Sequence, residues 1–317
     1  MDNDDKLVIE ENSYIDFKDL FFLLWNRKFF LTSIALISSI SAVLIALSLP
    51  NYYTSSSLLS ISTQENQTSS LIDRYSGIAA MAGISLPSSG GENKSDFVVA
   101  TLTSKDFFSR IIQIDGILEN LMAVKRYDAE TNQVIYDPKK FDVTTKKWVR
   151  KVSYPKQTKP TDQEAHKYFI EEVFSVNLDK LTGYITLSVE HKSPSFSKEL
   201  LDLIISELNI STRERDLIES ENAMNYLRSE SVNTTNSDLK ESIINLMQSQ
   251  LETQMIASVS KDYLLRTIDA PFIPELKSGP NRALICVLIV FISMITSILY
   301  ILSSYFIEKF YLANKLN

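Results

Sequence analysis

Two uncharged apolar runs bracket a mostly polar chain. The first covers residues 29–49 (FFLTSIALISSISAVLIALSL) and the second residues 283–307. A helix needs about 20 consecutive apolar residues to cross a bilayer, so both runs predict membrane spans. A cleaved signal peptide is disfavoured for the first run, because its N-terminal flank is long and acidic and the run exceeds a usual signal core. Arg27 and Lys28 precede the first run and no basic residue follows it until Arg74. The bias of basic residues toward the cytoplasm then predicts a cytoplasmic N-terminus. The second run returns the chain, so residues 308–317 are expected in the cytoplasm and residues 50–282 outside. A bacterial inner membrane with a periplasmic domain fits best.

Ahead of the first span, apolar residues from Ile15 to Trp25 recur at helical spacing. They predict an amphipathic helix lying at the interface, with Trp25 at headgroup depth. After Pro50, NYYTSSSLLSIST alternates and is rich in β-branched and aromatic residues, which predicts a strand. Residues 76–91 hold Gly77, Gly83, Gly90 and Gly91 and read as a flexible segment at a subunit contact. Residues 96–124 read as short helices. A further helix starts at Thr161, with Glu164 placed to complete a capping box. VFSVNLD and GYITLSVEH then predict a hairpin turning at Leu181, Thr182 and Gly183.

The longest pattern runs from Ser195 to Asp269, without proline or glycine, and its apolar residues recur at spacings of three, four and seven. It predicts one helix projecting on the order of 100 Å. Poor helix formers at 231–237 (SVNTTNS) predict a kink or short break, with Asp238 and Glu241 restarting the helix. Such a helix needs partners for its apolar stripe, most simply identical neighbours. Pro271, Pro274 and Pro280 then predict an extended, stiff joint, since proline cannot continue a helix interior.

The resulting plan is a cytoplasmic segment at 1–28, a transmembrane helix at 29–49, a periplasmic domain at 50–282, a second transmembrane helix at 283–307 and a tail at 308–317. Within the domain, a base sheet is expected from 50–62 and 138–193, the long helix at about 195–269 and the proline joint at 270–282. The expected fold class is α+β: two transmembrane helices flanking a periplasmic α/β base domain with a long helical protrusion.

Composition narrows the chemistry. The 317 residues carry a net charge of -7, which argues against a general nucleic-acid binder. The single cysteine, Cys286, falls in the second apolar run, so no intramolecular disulfide or cysteine metal site is expected. His166 and His191 lack a metalloprotease-type neighbourhood, and the seven glycines form neither phosphate-loop nor dinucleotide motifs. No catalytic residue, metal or cofactor is expected. Residues 138–160 are basic, and a charge run is ordinarily a solvated face. The functional alternative is contact with anionic lipid headgroups or an anionic glycan through Lys146, Lys147, Arg150 and Lys151. Small residues at Ser38, Ala42 and Ala46, and at Ser293 and Ser297, are spaced for close helix packing.

Six stretches carry a resemblance to a known family. They are FKDLFFLLWNRK, LPNYYTSSSLLSI, AAMAGI, KPTDQEAHKYF, GYITLSVEHKSP and TIDAPFIPELKSGPNRALI, in this order and spacing. Together they resemble the Wzz-type chain-length determinants, the polysaccharide co-polymerases, over nearly the whole chain. The resemblance implies a homo-oligomeric ring shaped as a hollow bell, with an octamer as the provisional size. It implies control of the modal length of a surface polysaccharide, typically the O-antigen of lipopolysaccharide. The implied partners are a Wzy-type polymerase, the lipid-linked polysaccharide and the membrane. Family members often carry glycine in the second membrane segment, and residues 283–307 have none. The short tail at 308–317 sets the chain apart from related proteins with a cytoplasmic tyrosine-kinase domain.

The leading reading is therefore a non-catalytic scaffold, in which Pro271, Pro274, Gly279, Pro280 and Arg282 couple the helical protrusion to the membrane segments. An ordinary domain-to-membrane linker is the plain alternative for those residues. The competing functions are an exporter-linked co-polymerase for capsule or exopolysaccharide, a membrane adaptor or sensor, and a periplasmic hydrolase.

Overall fold

A computed structural model describes residues 17–62, 91–233, 235 and 237–315. The chain divides into two units, Met1–Leu49 with Pro280–Asn317, and Pro50–Gly279. The glycine-rich stretch expected at a subunit contact, including AAMAGI, lies outside the described residues, except that Gly91 opens a helix.

In the first unit, α1 (Phe17–Asn26) precedes α2 (Lys28–Ser48), and α9 (Arg282–Lys315) closes the chain. Both Lys28–Ser48 and Arg282–Ile307 are long and apolar enough to cross a membrane, and their side chains are mostly uncovered. The 21 residues of α2 rise roughly 30 Å, the thickness of a hydrocarbon core. α2 and α9 pack antiparallel. Arg282 Nη2 donates to Leu49 O at 3.2 Å at one end, and the rings of Phe30 and Tyr300 lie 6.2 Å apart near the other.

The second unit is built on a four-stranded antiparallel sheet, ordered β6-β7-β1-β8. Its strands are β1 (Tyr53–Ile61), β6 (Phe174–Leu178), β7 (Ile185–His191) and β8 (Leu265–Asp269). Strict alternation along β7 turns Ile185, Leu187, Val189 and His191 inward. Opposite them in register sit Leu59, Ser57, Ser55 and Tyr53. That inner face packs on the first turns of α7 (Pro194–Asn233) through Phe196, Leu200, Leu201, Ile204 and Leu208. Asp179 caps the β6–β7 turn, and Gly183 takes φ 73°, a left-handed conformation that glycine adopts freely.

Three short helices, α3 (Gly91–Leu102), α4 (Lys105–Ile112) and α5 (Ile117–Ala123), cover the core beside the sheet. Two small ribbons follow, β2 (Val124–Asp128) with β3 (Gln133–Tyr136), and β4 (Phe141–Asp142) with β5 (Lys147–Trp148). The sequence pattern assigns all of 138–193 to the base sheet. The basic part, 138–160, instead forms only the two-residue ribbon β4–β5, outside the main sheet. Its Lys-rich stretch has no apolar alternation to offer a core, and Asp142 nucleates a local turn by accepting from Thr144 N and Thr145 Oγ1. α6 (Asp162–Tyr168) continues as a π-turn, Phe169–Val173. That turn stacks Phe169 on Phe174 at 5.0 Å and against Phe108 at 5.0 Å.

The single helix expected over about 195–269 is corrected to a hairpin that ends in a strand. The 40 residues of α7 rise about 60 Å. The chain then turns, and α8 (Ser237–Val259) runs back along α7. The break falls in the expected stretch of poor helix formers, and the side chain of Asp238 lies outside the described residues. Met224 and Ser220 on α7 and Ile243 and Ala257 on α8 are buried, so the returning helix covers part of the stripe that one straight helix would expose. Thr267 and Asp269 belong to β8, not to the end of a helix, and Leu265 is its buried residue.

Candidate functional site

The proline-rich segment 270–279 is held by hydroxyl groups of β1. Proline has no N–H to offer a strand ladder, so a strand neighbour cannot be satisfied by backbone alone. Side chains of β1 bind the segment instead, by donating to its oxygens. Ser57 Oγ donates to Asp269 O at 2.6 Å and Ser55 Oγ donates to Phe272 O at 2.8 Å. Thr54 Oγ1 donates to Ser278 Oγ at 2.8 Å. Backbone pairing resumes at Tyr52, whose N–H donates to Gly279 O at 2.9 Å and whose carbonyl accepts from Ser278 N at 2.8 Å. Pro271 and Pro274 turn inward and are buried. The segment is thus anchored at both ends and free of regular secondary structure, with a bend at Glu275 and Leu276. The Tyr52 hydroxyl is pushed above its usual range by burial, with Glu172 and Glu190 nearby adding to the shift.

The five residues expected to couple domain and membrane divide between the units. Pro271, Pro274 and Gly279 lie in the clamped segment, while Pro280 and Arg282 belong to the membrane-helix unit. Ser55 and Ser57 have no role in the sequence pattern alone. A signal for them exists, since the run TSSS in an otherwise apolar strand faces a segment with two prolines.

A second clamp ties the helical hairpin to the sheet edge. Asn209, buried on α7, accepts from Leu264 N and Leu265 N at 2.8 Å each and donates to Leu265 O at 3.1 Å. One carboxamide thus satisfies three backbone groups where the chain re-enters the sheet as an edge strand. Tyr263 donates its hydroxyl to Asp216 at 2.8 Å, and burial together with that bond pushes the phenol well up from its usual range.

The basic segment separates into two parts. Arg150 forms a two-pronged pair with Glu164, at 2.7 and 2.6 Å, and also donates to the carbonyls of Thr158 and Gln157 at 2.8 Å. Four of its five N–H donors are therefore engaged within the fold, which sets it apart from the exposed lysines of the expected anion-contact set. The Arg150 guanidinium holds the Glu164 carboxyl below its ordinary range. The capping box is half made: Thr161 Oγ1 accepts from Glu164 N at 3.3 Å, while the Glu164 carboxylate goes to Arg150. Lys146, Lys147 and Lys151 are exposed, and Trp148 is turned onto Phe141 at 5.5 Å.

Both histidines are structural. His166 Nε2 donates to Thr103 O at 3.0 Å and its ring lies edge-on to Phe108. His191 is buried against Phe196, accepts from Ser193 N at Nδ1 and is pushed down to about 4 by burial, with Lys192 adding to the shift. On the membrane helices, Ala42, Ala46 and Ser297 are buried, and Ser38 and Ser293 are half-buried.

An α+β domain with a helical hairpin, joined to two helices long and apolar enough to cross a membrane, is the class that this architecture defines. The family model described as Wzz, chain length determinant protein, matches residues 13–123. The two membrane helices and that match fit an inner-membrane protein. No curated protein matches the chain. Among solved structures, a full-length bacterial polysaccharide co-polymerase is similar at 12% identity and a TM-score of 0.36, covering 93% of this chain and 99% of that one. A fragment of WzzB, a polysaccharide co-polymerase from Salmonella Typhimurium, is similar at 12% identity and a TM-score of 0.25, covering 72% and 100%.

Proposed function

We propose that this chain is a non-catalytic regulator of surface-polysaccharide length, working as a homo-oligomer in the inner membrane with both termini in the cytoplasm. The proposed polysaccharide is O-antigen, extended on a lipid carrier by a Wzy-type polymerase. The observation that carries the reading is the Wzz match at residues 13–123, which spans the first membrane helix and the strand that follows it. The hairpin supports an oligomer: Ile218, Tyr226, Leu246 and Met255 remain exposed on α7 and α8 after the two helices have packed. In this reading Pro271, Pro274, Gly279, Pro280 and Arg282 transmit the position of the domain to the membrane helices. Lys146, Lys147 and Lys151 remain the candidates for an anionic surface.

Two experiments test this. Purified full-length chain in detergent should have a mass that is a multiple of the protomer, and it should leave the length of added cell-surface polysaccharide unchanged. Shortening of that polysaccharide would make the chain a hydrolase. Replacing Pro274→Ala with Pro280→Ala should alter the polysaccharide length distribution in cells, and an unchanged distribution removes the coupling role.

A further inference from the structure

The clamped proline segment turns three large apolar side chains outward. Phe272 is 51% exposed, Ile273 53% and Leu276 85%, while the two prolines beside them are buried. The backbone is held on either side of these residues. The carbonyl of Phe272 is held by Ser55, and Ser278 and Gly279 are held by Tyr52. Three such residues within five positions form an apolar patch, with Glu275 and Lys277 exposed between and beside them. A patch of this kind marks a surface that something covers.

Chain length limits what that can be. Tyr52 follows Ser48, the last residue of α2, by four residues, and Gly279 precedes Arg282, the first residue of α9, by three. An extended chain covers at most about 3.6 Å per residue, so the Tyr52–Gly279 bridge is tethered within roughly 14 Å of an end of each membrane helix. Leu276 lies three residues further on. The polar layer on each side of the hydrocarbon core is itself roughly 5–8 Å deep. Leu276 stands six residues before Arg282, so about 22 Å of extended chain at most separates it from a membrane-helix end; that reach includes the headgroup layer, which Phe, Ile and Leu flanked by charged side chains suit.

We propose that Phe272, Ile273 and Leu276 insert into the headgroup interface of the bilayer as a monotopic contact of the outer domain, additional to the two spans. The proposal rests on the two-span reading given above. It also accounts for the build of the proline segment, since the buried prolines and the β1 hydroxyls anchor the stretch from which the three apolar side chains project.

The test uses full-length chain reconstituted in vesicles, in a Cys286→Ser background. An environment-sensitive fluorophore is attached at Leu276→Cys, at Leu44→Cys on α2, or at Leu181→Cys in the β6–β7 turn. All three positions are exposed, so labelling leaves the core intact. Quenching is read from lipids carrying spin labels and from aqueous iodide. The expected result is a Leu276 label quenched severalfold more by headgroup-labelled lipid than the Leu181 label, and shielded from iodide. A Leu276 label that behaves like Leu181, while Leu44 is quenched by lipid, overturns the proposal and leaves the two-span reading standing. Shielding from iodide without lipid quenching also overturns it, because a second protein copy then covers the patch. An unquenched Leu44 label overturns the two-span reading itself and the proposal with it.

Discussion

Ser55 donates its hydroxyl to the carbonyl of Phe272 at 2.8 Å, across 217 residues of sequence. Its side chain is fully buried on β1, and Ser57 repeats the arrangement with Asp269. A Ser55→Ala change leaves a carbonyl without its donor in a segment whose prolines cannot compensate. The expected cost is about 1–2 kcal/mol, read as a lower thermal midpoint of the full chain in detergent. Proteolysis within 270–279 should rise in parallel.

The pair of Arg150 and Glu164 is mostly buried and two-pronged. Removing one partner strands a charge, so Arg150→Ala should destabilise the domain by roughly 3 kcal/mol, while Lys147→Ala on the exposed neighbouring position should change little. The folded carboxyl is held below its ordinary value of 4.5, so its contribution is complete above that pH and declines as pH falls through the folded value. Thermal midpoints across the acidic range should show this decline in the parent and lose it in Glu164→Gln.

His191 acts in the same direction over a different window. Its folded value is pushed from 6.5 down to about 4, so the unfolded chain takes up a proton first as the solution is acidified. Stability attributable to this group is complete above pH 6.5 and falls between there and pH 4, by up to about 3 kcal/mol. Denaturant unfolding of His191→Gln should lack that fall. An identical pH dependence in parent and variant would remove the assignment.

Ala46 is buried on α2, whereas Leu47 beside it is exposed. Ala46→Leu forces extra volume into the α2–α9 contact and should cost about 1–3 kcal/mol. Leu47→Ala should stay within about 0.5 kcal/mol. Thermal unfolding of the full chain in one detergent separates the two.

Much of the architecture is legible as pattern. The membrane helices are visible because an uncharged apolar run of their length has few other uses, and β1, β6 and β7 because apolar and polar residues alternate along them. The reversal after Asn233 is not legible, because the spacing of Leu239, Ile243 and Leu246 continues that of Met224 and Leu227 across the turn. Helical periodicity records which face is apolar and not the direction of travel. β8 is hidden for a related reason: a five-residue edge strand with only Leu265 buried offers no alternation to count. The role of Arg150 is equally hidden, because a charge run displays its composition but not its partners, and Glu164 stands 14 residues away.

Whether this chain sets polysaccharide length is decided by a gel of surface polysaccharide from a strain with the gene deleted, run beside the same strain carrying the gene again. A length regulator predicts a banded modal distribution that becomes random on deletion and returns with the gene. A distribution that is the same in both strains would contradict that function.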